Sequence, residues 1–147
     1  KTSKHVKKYH ELYGDKKDES VGKNVIFLSE WVNPSQKKSY NAAQCIKFFL
    51  DNLSSLKLKI NKITIRFHPQ EKVKKFKWLK NYPNKILIRK DKHIFDEILQ
   101  HDIIVGINTV ALVLGLIAKK KVISCIPSKN DKCDLPHKGI LDFKKII

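Results

Sequence analysis

"DIIVGINTVALVLGLIAKKKVISCI", residues 102–126, places a longer apolar segment between two short apolar runs. Residues 102–106 and 121–126 are continuous and β-branched, the pattern of strands buried on both faces of a parallel sheet. Between them, "NTVALVLGLIAKK" (108–120) is apolar nearly all round and predicts an interior helix, with Asn108 or Thr109 positioned to cap it. Two parallel strands need such a crossover, and in one sheet it is right-handed.

The same alternation runs upstream. "NVIFLSEW" (24–31) reads as a short strand, and Asn33 and Pro34 offer a cap and a first helical position. Apolar residues at Ala42/Ala43, Ile46, Phe49/Leu50, Leu53 and Leu56 follow at helical spacing. "KITIRF" (62–67) and "NKILIR" (84–89) read as strands, separated by a helix over 70–80 with Val73, Phe76 and Leu79 on one face. "HIFDEILQ" (93–100) supplies one more short helix. The order βαβαβαβαβ predicts an α/β fold: a Rossmann-like, doubly wound parallel sheet of about five strands in one domain, residues 24–147. Residues 1–23 read as a charged linker or N-terminal extension. Beyond residue 127 the pattern gives way to a polar loop, "SKNDKCDLPHKG", and then "ILDFKKII", expected to be a closing helix.

Thirty-one Lys+Arg against 14 Asp+Glu give a net charge of +17, which points to anionic partners. Only Arg66 and Arg89 are arginines. Base reading and bidentate phosphate clamping favour arginine, whereas lysine spread through every segment is what codon bias in an AT-rich genome also produces, so the charge does not select a function and nucleic acid is not the expected partner. Cys45, Cys125 and Cys133 form an odd set without a CxxC, expected to be reduced thiols. Cys125, Cys133 and His137 lack a fourth ligand, and no metal is expected. The longest apolar run, 103–118, falls short of the ~20 residues of a membrane span. No signal peptide is expected, and the expected location is the cytoplasm, with peripheral contact to the inner face of the membrane as an option. The chain opens on Lys1, which suggests a piece of a longer protein.

In open α/β sheets, ligands bind beyond the carboxyl ends of the strands, where the strand order reverses. Ser29 and Glu30 follow the first strand, His68 and Pro69 the second, and Gly106, Asn108 and Thr109 the fourth. A strand order of 3-2-1-4-5 would make Glu30, His68 and Thr109 converge. Gly106 would let a ligand approach the backbone, and the helix start would favour phosphate. His68, stiffened by Pro69, is either an aimed imidazole or an idle rim histidine, and Thr109 either binds an anion or only caps its helix. The residues alone leave both pairs of readings open. Neither GxGxxG nor GxxxxGK[ST] occurs.

"ITIRFHPQE" (63–71) followed by "IFDEILQHDIIVGINTVALVLGLIAKKKVISCIP" (94–127) resembles the carboxyl-terminal half of GT-B glycosyltransferases. The nearest resemblance is to the group with an HP motif and a downstream Ser/Thr motif: bacterial sialyltransferases and polysialyltransferases, capsule and surface-carbohydrate transferases, and CDP-glycerol glycerophosphotransferases. Asn108-Thr109 stands where that group usually has Ser-Ser or Ser-Thr. The resemblance implies a donor-nucleotide-binding domain for a CMP- or CDP-linked nucleotide-sugar, with no further cofactor. It implies that His68 contacts the nucleotide phosphate and assists its departure, that Thr109 with the N–H groups around Asn108 holds the same phosphate, and that Ser29 and Glu30 meet base or ribose. It also implies a glycan or glycolipid acceptor and a missing N-terminal GT-B domain, without which this half would be inactive. A basic nucleic-acid-binding α/β module and a GT-B-like domain without turnover are the alternatives.

Overall fold

A computed structural model describes residues 22–31, 38–89, 93–128, 131, 133–135 and 138–147. Most of the charged amino-terminal stretch, together with Asn33, Pro34 and His137, lies outside these residues. Six parallel strands form one sheet in the order β3-β2-β1-β4-β5-β6. They are β1 (Lys23–Leu28), β2 (Ile60–Arg66), β3 (Ile86–Arg89), β4 (Ile103–Gly106), β5 (Lys121–Ser124) and β6 (Ile140–Asp142). The α/β, Rossmann-like, doubly wound fold is therefore present, with six strands rather than five. The extra strand comes from the segment expected to be only a closing helix. Ile140–Asp142 pairs with β5 first, and the chain turns into α4 (Phe143–Ile146) only afterwards. Asp142 caps that turn by accepting from Lys144 N–H, and Phe143 is fully buried.

The strands alternate their side chains between two cores. Val25, Phe27, Ile63, Ile65, Ile103 and Val105 face one layer, which contains α1 (Ala42–Asp51) and the connection from β2 to β3. Ile26, Leu28, Ile104 and Val122 face the other, which contains α2 (Ile94–Leu99) and α3 (Ala111–Ile117). A right-handed crossover puts its helix on opposite faces according to the direction in which the chain moves along the sheet. The chain moves outward from β1 to β3, returns, and moves outward again from β4 to β6, so the helices divide between the faces.

Local chemistry sets the element boundaries. α1 starts at Ala42, well after Pro34, because Asn41 and Gln44 form a reciprocal capping box at 2.8 and 2.9 Å. The β2–β3 connection is a 3₁₀ helix over Val73–Asn81, kinked at Phe76, where a regular helix was expected. On either side of the kink Phe76 and Leu79 are buried and Val73 packs partly buried against the core, while the lysines between them are exposed. Phe76 packs on Phe67 with ring centroids 4.4 Å apart, which anchors the connection to the end of β2.

α3 lies against β4 and β5 over Gly115. A Cβ there would sit 2.9 Å from Val122 Cγ2 and 3.2 Å from Ile104 Cγ1. Gly115→Val should lower unfolding stability by about 1–3 kcal/mol through overpacking, measured by urea denaturation. An unchanged midpoint would mean that α3 does not pack this closely.

Candidate functional site

Register brings the candidate residues to one level. Leu28 pairs with Arg66 on one side and Gly106 on the other. Two residues further along each chain stand Glu30, His68 and Asn108, side by side at the carboxyl ends of β1, β2 and β4. The order reverses between β1 and β4, so this is the switch point of the sheet.

Glu30 spans that point. Its carboxylate accepts from the Asn108 backbone N–H at 2.5 Å. Burial raises its pKa above the usual carboxylate value; the Asn108 hydrogen bond opposes this, the nearby Glu71 charge adds to it, and His68 and Lys38 lower it. The Asn108 side chain is engaged separately: it donates to Asp134 Oδ2 at 2.9 Å and accepts from the Asp134 backbone N–H at 2.9 Å. The turn after β4 is thereby locked to the loop that follows β5. Ser39 and Asp131 hydrogen-bond to each other, and Lys144 Nζ donates to Asp131 O, which ties the same loop to the approach to α1 and to α4.

Glu71, which the sequence reading passed over, organises the other wall. It is 7% exposed; one oxygen accepts from Ser29 Oγ and the other from the His68 backbone N–H, both at 2.8 Å. The imidazole Nδ1 of His68 accepts from Gln70 N–H at 3.1 Å, so the His68-Pro69 turn is held from both backbone and side chain. The only sequence signal for Glu71 was an acid three residues after His68, the spacing at which a side chain can return to a turn's first N–H.

The remaining candidates divide. Ser29 is buried, with its hydroxyl spent on Glu71. Gly106 is needed for packing, since a Cβ would meet Leu112 Cδ2 at 2.8 Å; the space beside it is filled by α3. The Thr109 hydroxyl accepts from Ala111 N–H at 3.3 Å. α3 begins two residues later than expected, at Ala111, and its N-cap position, Val110, has no side-chain cap. Pro69 and Trp31 are exposed. Tyr40 is buried beside Glu30, and burial with that carboxylate lifts its phenol to about 12. Cys45 and Cys125 are free buried thiols, and burial lifts Cys45 to about 12. Among the described residues, no group of three His, Cys, Asp or Glu side chains could hold a metal.

His101 sits apart from this site. It is 2% exposed and bonded to Glu97 O at 2.6 Å and Thr64 Oγ1 at 2.9 Å, and burial lowers its pKa. Its role is to join α2 to β2.

The chain matches no family model and no curated protein. The switch point must be read from its own chemistry: an imidazole on a stiff turn, two carboxylates that accept from backbone N–H groups, and a polar turn held by Glu30 on one side and Asp134 on the other.

Glu71→Ala removes the acceptor of two buried donors and should cost roughly 1–3 kcal/mol in urea denaturation. Combined with Ser29→Ala in a double-mutant cycle, the two changes should be less than additive, and strict additivity would mean that the bond carries no energy. Glu30 gives a pH-dependent expectation. Its pKa in the fold is raised, so its charge costs stability above that pKa, and the cost disappears as pH falls below the unfolded value. Glu30→Gln should therefore stabilise the protein at neutral pH, with the advantage vanishing near pH 4. Thermal melts of both proteins across that range measure it.

Proposed function

We propose that this chain is the donor-nucleotide-binding domain of a GT-B-type glycosyltransferase, taking a CMP- or CDP-linked sugar for the synthesis of a surface polysaccharide or glycolipid. The observation that carries this reading is the in-register meeting of Glu30, His68 and Asn108 at the switch point between β1 and β4. Ligand crevices of doubly wound sheets lie at this point, and the residues there are suited to a ribose phosphate.

In this reading His68, with Nδ1 accepting from Gln70 N–H, donates a hydrogen bond from Nε2–H to the phosphate that joins nucleotide to sugar and so assists departure of the nucleotide. The Asn108-Thr109 turn holds the same phosphate through backbone N–H groups and the Thr109 hydroxyl. Phosphate and the Glu30 carboxylate are both anionic and compete for the Asn108 N–H. Ligand entry thus turns Glu30 away from that donor and toward the ribose hydroxyls, which donate to a carboxylate. The base lies over the end of β1, within reach of Trp31. Glu71 does not touch the ligand; it fixes the backbone from which His68 projects. The acceptor glycan and the catalytic base belong to an N-terminal domain, and turnover requires it.

Titration of the 15N-labelled chain with CMP, CDP and UDP should give saturable shifts at Glu30, His68, Asn108 and Thr109. His68→Ala should weaken the best ligand by about tenfold, the worth of one charge-assisted hydrogen bond. If these positions stay still while duplex DNA binds with a steep salt dependence, the protein is a nucleic-acid-binding module instead.

A further inference from the structure

The charge of this protein is not evenly spread. From Asn52 to Arg89, the span containing β2, the 3₁₀ connection and β3, Glu71 is the only acidic residue, and it is buried with both oxygens engaged inside the fold. The acids Asp96, Asp102, Asp131, Asp134 and Asp142 belong to the other half of the sheet or to the loops and helices beside it. The 3₁₀ helix concentrates the asymmetry. Its three-residue period sends Val73, Phe76 and Leu79 inward, and Lys72, Lys74, Lys75, Lys77 and Lys80 are all exposed. Asp51, the nearest carboxylate at the border of this face, accepts from Tyr82 Oη at 2.6 Å.

Apolar groups accompany the charge. Trp78, which lies between Lys77 and Lys80 in sequence, is partly buried against the core and packs edge-on to Tyr82 at 6.1 Å. Ile88, on the edge strand β3, is 45% exposed and points to the same side of the sheet as Ile65, its partner in β2.

We infer that the outer face of the 3₁₀ helix Val73–Asn81, with the adjoining edge of β3, is a docking surface for a bilayer bearing anionic lipid headgroups. Three features favour a bilayer over a nucleic acid. The exposed cations of the 3₁₀ helix are all lysine, a compact point charge that answers a diffuse negative surface, where a phosphate backbone or base edge is read best by the guanidinium fork. The lysines are borne on a short element packed to the core, so one plane can meet several of them. Trp78 and Ile88 offer the apolar and amphipathic groups that settle at headgroup depth. Each lysine brought near an anionic leaflet strengthens binding by roughly fivefold, within a screening length of about 8 Å at physiological salt. This inference does not depend on the nucleotide reading of the crevice.

The test is sedimentation of the full chain with phosphatidylcholine vesicles, with and without about one-third phosphatidylglycerol, at low and at physiological salt. The wild type should bind only the anionic vesicles, less tightly as salt rises. The variant K72Q/K74Q/K75Q/K77Q/K80Q should bind at least about a hundredfold more weakly, with an unchanged melting temperature because every substituted side chain is exposed. The control K4Q/K7Q/K8Q/K16Q/K17Q removes the same charge from the amino-terminal stretch and should retain most of the binding. A smaller variant, K74E/K77E, reads out the same face if the fivefold change lowers stability. Equal loss in both fivefold variants would overturn the inference, because net charge alone would then govern binding. Absence of binding to anionic vesicles would also overturn it, as would tighter binding to duplex DNA that the same substitutions abolish.

Discussion

β1 is buried on both faces and hydrogen-bonded on both edges, and the rest of the molecule is arranged around that constraint. Val25, Ile26 and Phe27 are wholly inaccessible and Leu28 is 2% exposed. A parallel strand in this position must have neighbours on either side and a helical layer above and below it. β2 takes one edge and β4 the other, so the chain has to leave in one direction and return past its start. The reversal between β1 and β4 follows, and the loops leaving these two strands diverge to opposite faces. Between them a crevice opens that side chains must fill or a ligand must occupy.

In this protein carboxylates that accept from backbone N–H groups link the loops at that point. Glu30 joins β1 to the turn after β4, and Glu71 joins β1 to the turn after β2. A carboxylate on an N–H group is stabilising when it replaces water that burial has removed, but two such groups near one another repel. The raised pKa of Glu30 is the expression of that balance: burial and Glu71 oppose its charge, while the Asn108 hydrogen bond, His68 and Lys38 support it. Within a chain of net charge +17, the result is a small acidic floor in a basic protein.

The two halves of the sheet differ in chemistry as well as direction. The β1-to-β3 half carries its lysines outward on a 3₁₀ connection, and the β4-to-β6 half carries most of the exposed acids. Period explains part of this. In "VKKFKWLK", the three-residue spacing of Val73, Phe76 and Leu79 turns them to the core on either side of the kink, and the lysines between them are exposed. Lysines occur in both halves, and what sets the first half apart is that its lysines have few exposed carboxylates beside them.

The sequence by itself determined five of the six strands and the α/β class, because continuous apolar runs of strand length separated by helical periodicity permit few other arrangements; the switch point followed only on an assumed strand order, which the pairing of β1 with β2 and β4 supplies. It also marked His68, Glu30 and Asn108 as candidates, since residues that follow parallel strands must lie at one end of the sheet. The tertiary structure alone decided what those residues do there. That Glu71 holds the His68 turn, that Ser29 is buried and Gly106 filled by Leu112, and that the Thr109 hydroxyl serves its own helix start all depend on side chains tens of residues apart in sequence or on backbone geometry that periodicity does not encode. β6 was missed for a related reason. Three residues carry too little periodicity to declare a strand, and Ile140–Asp142 becomes one because β5 presents an edge to pair with.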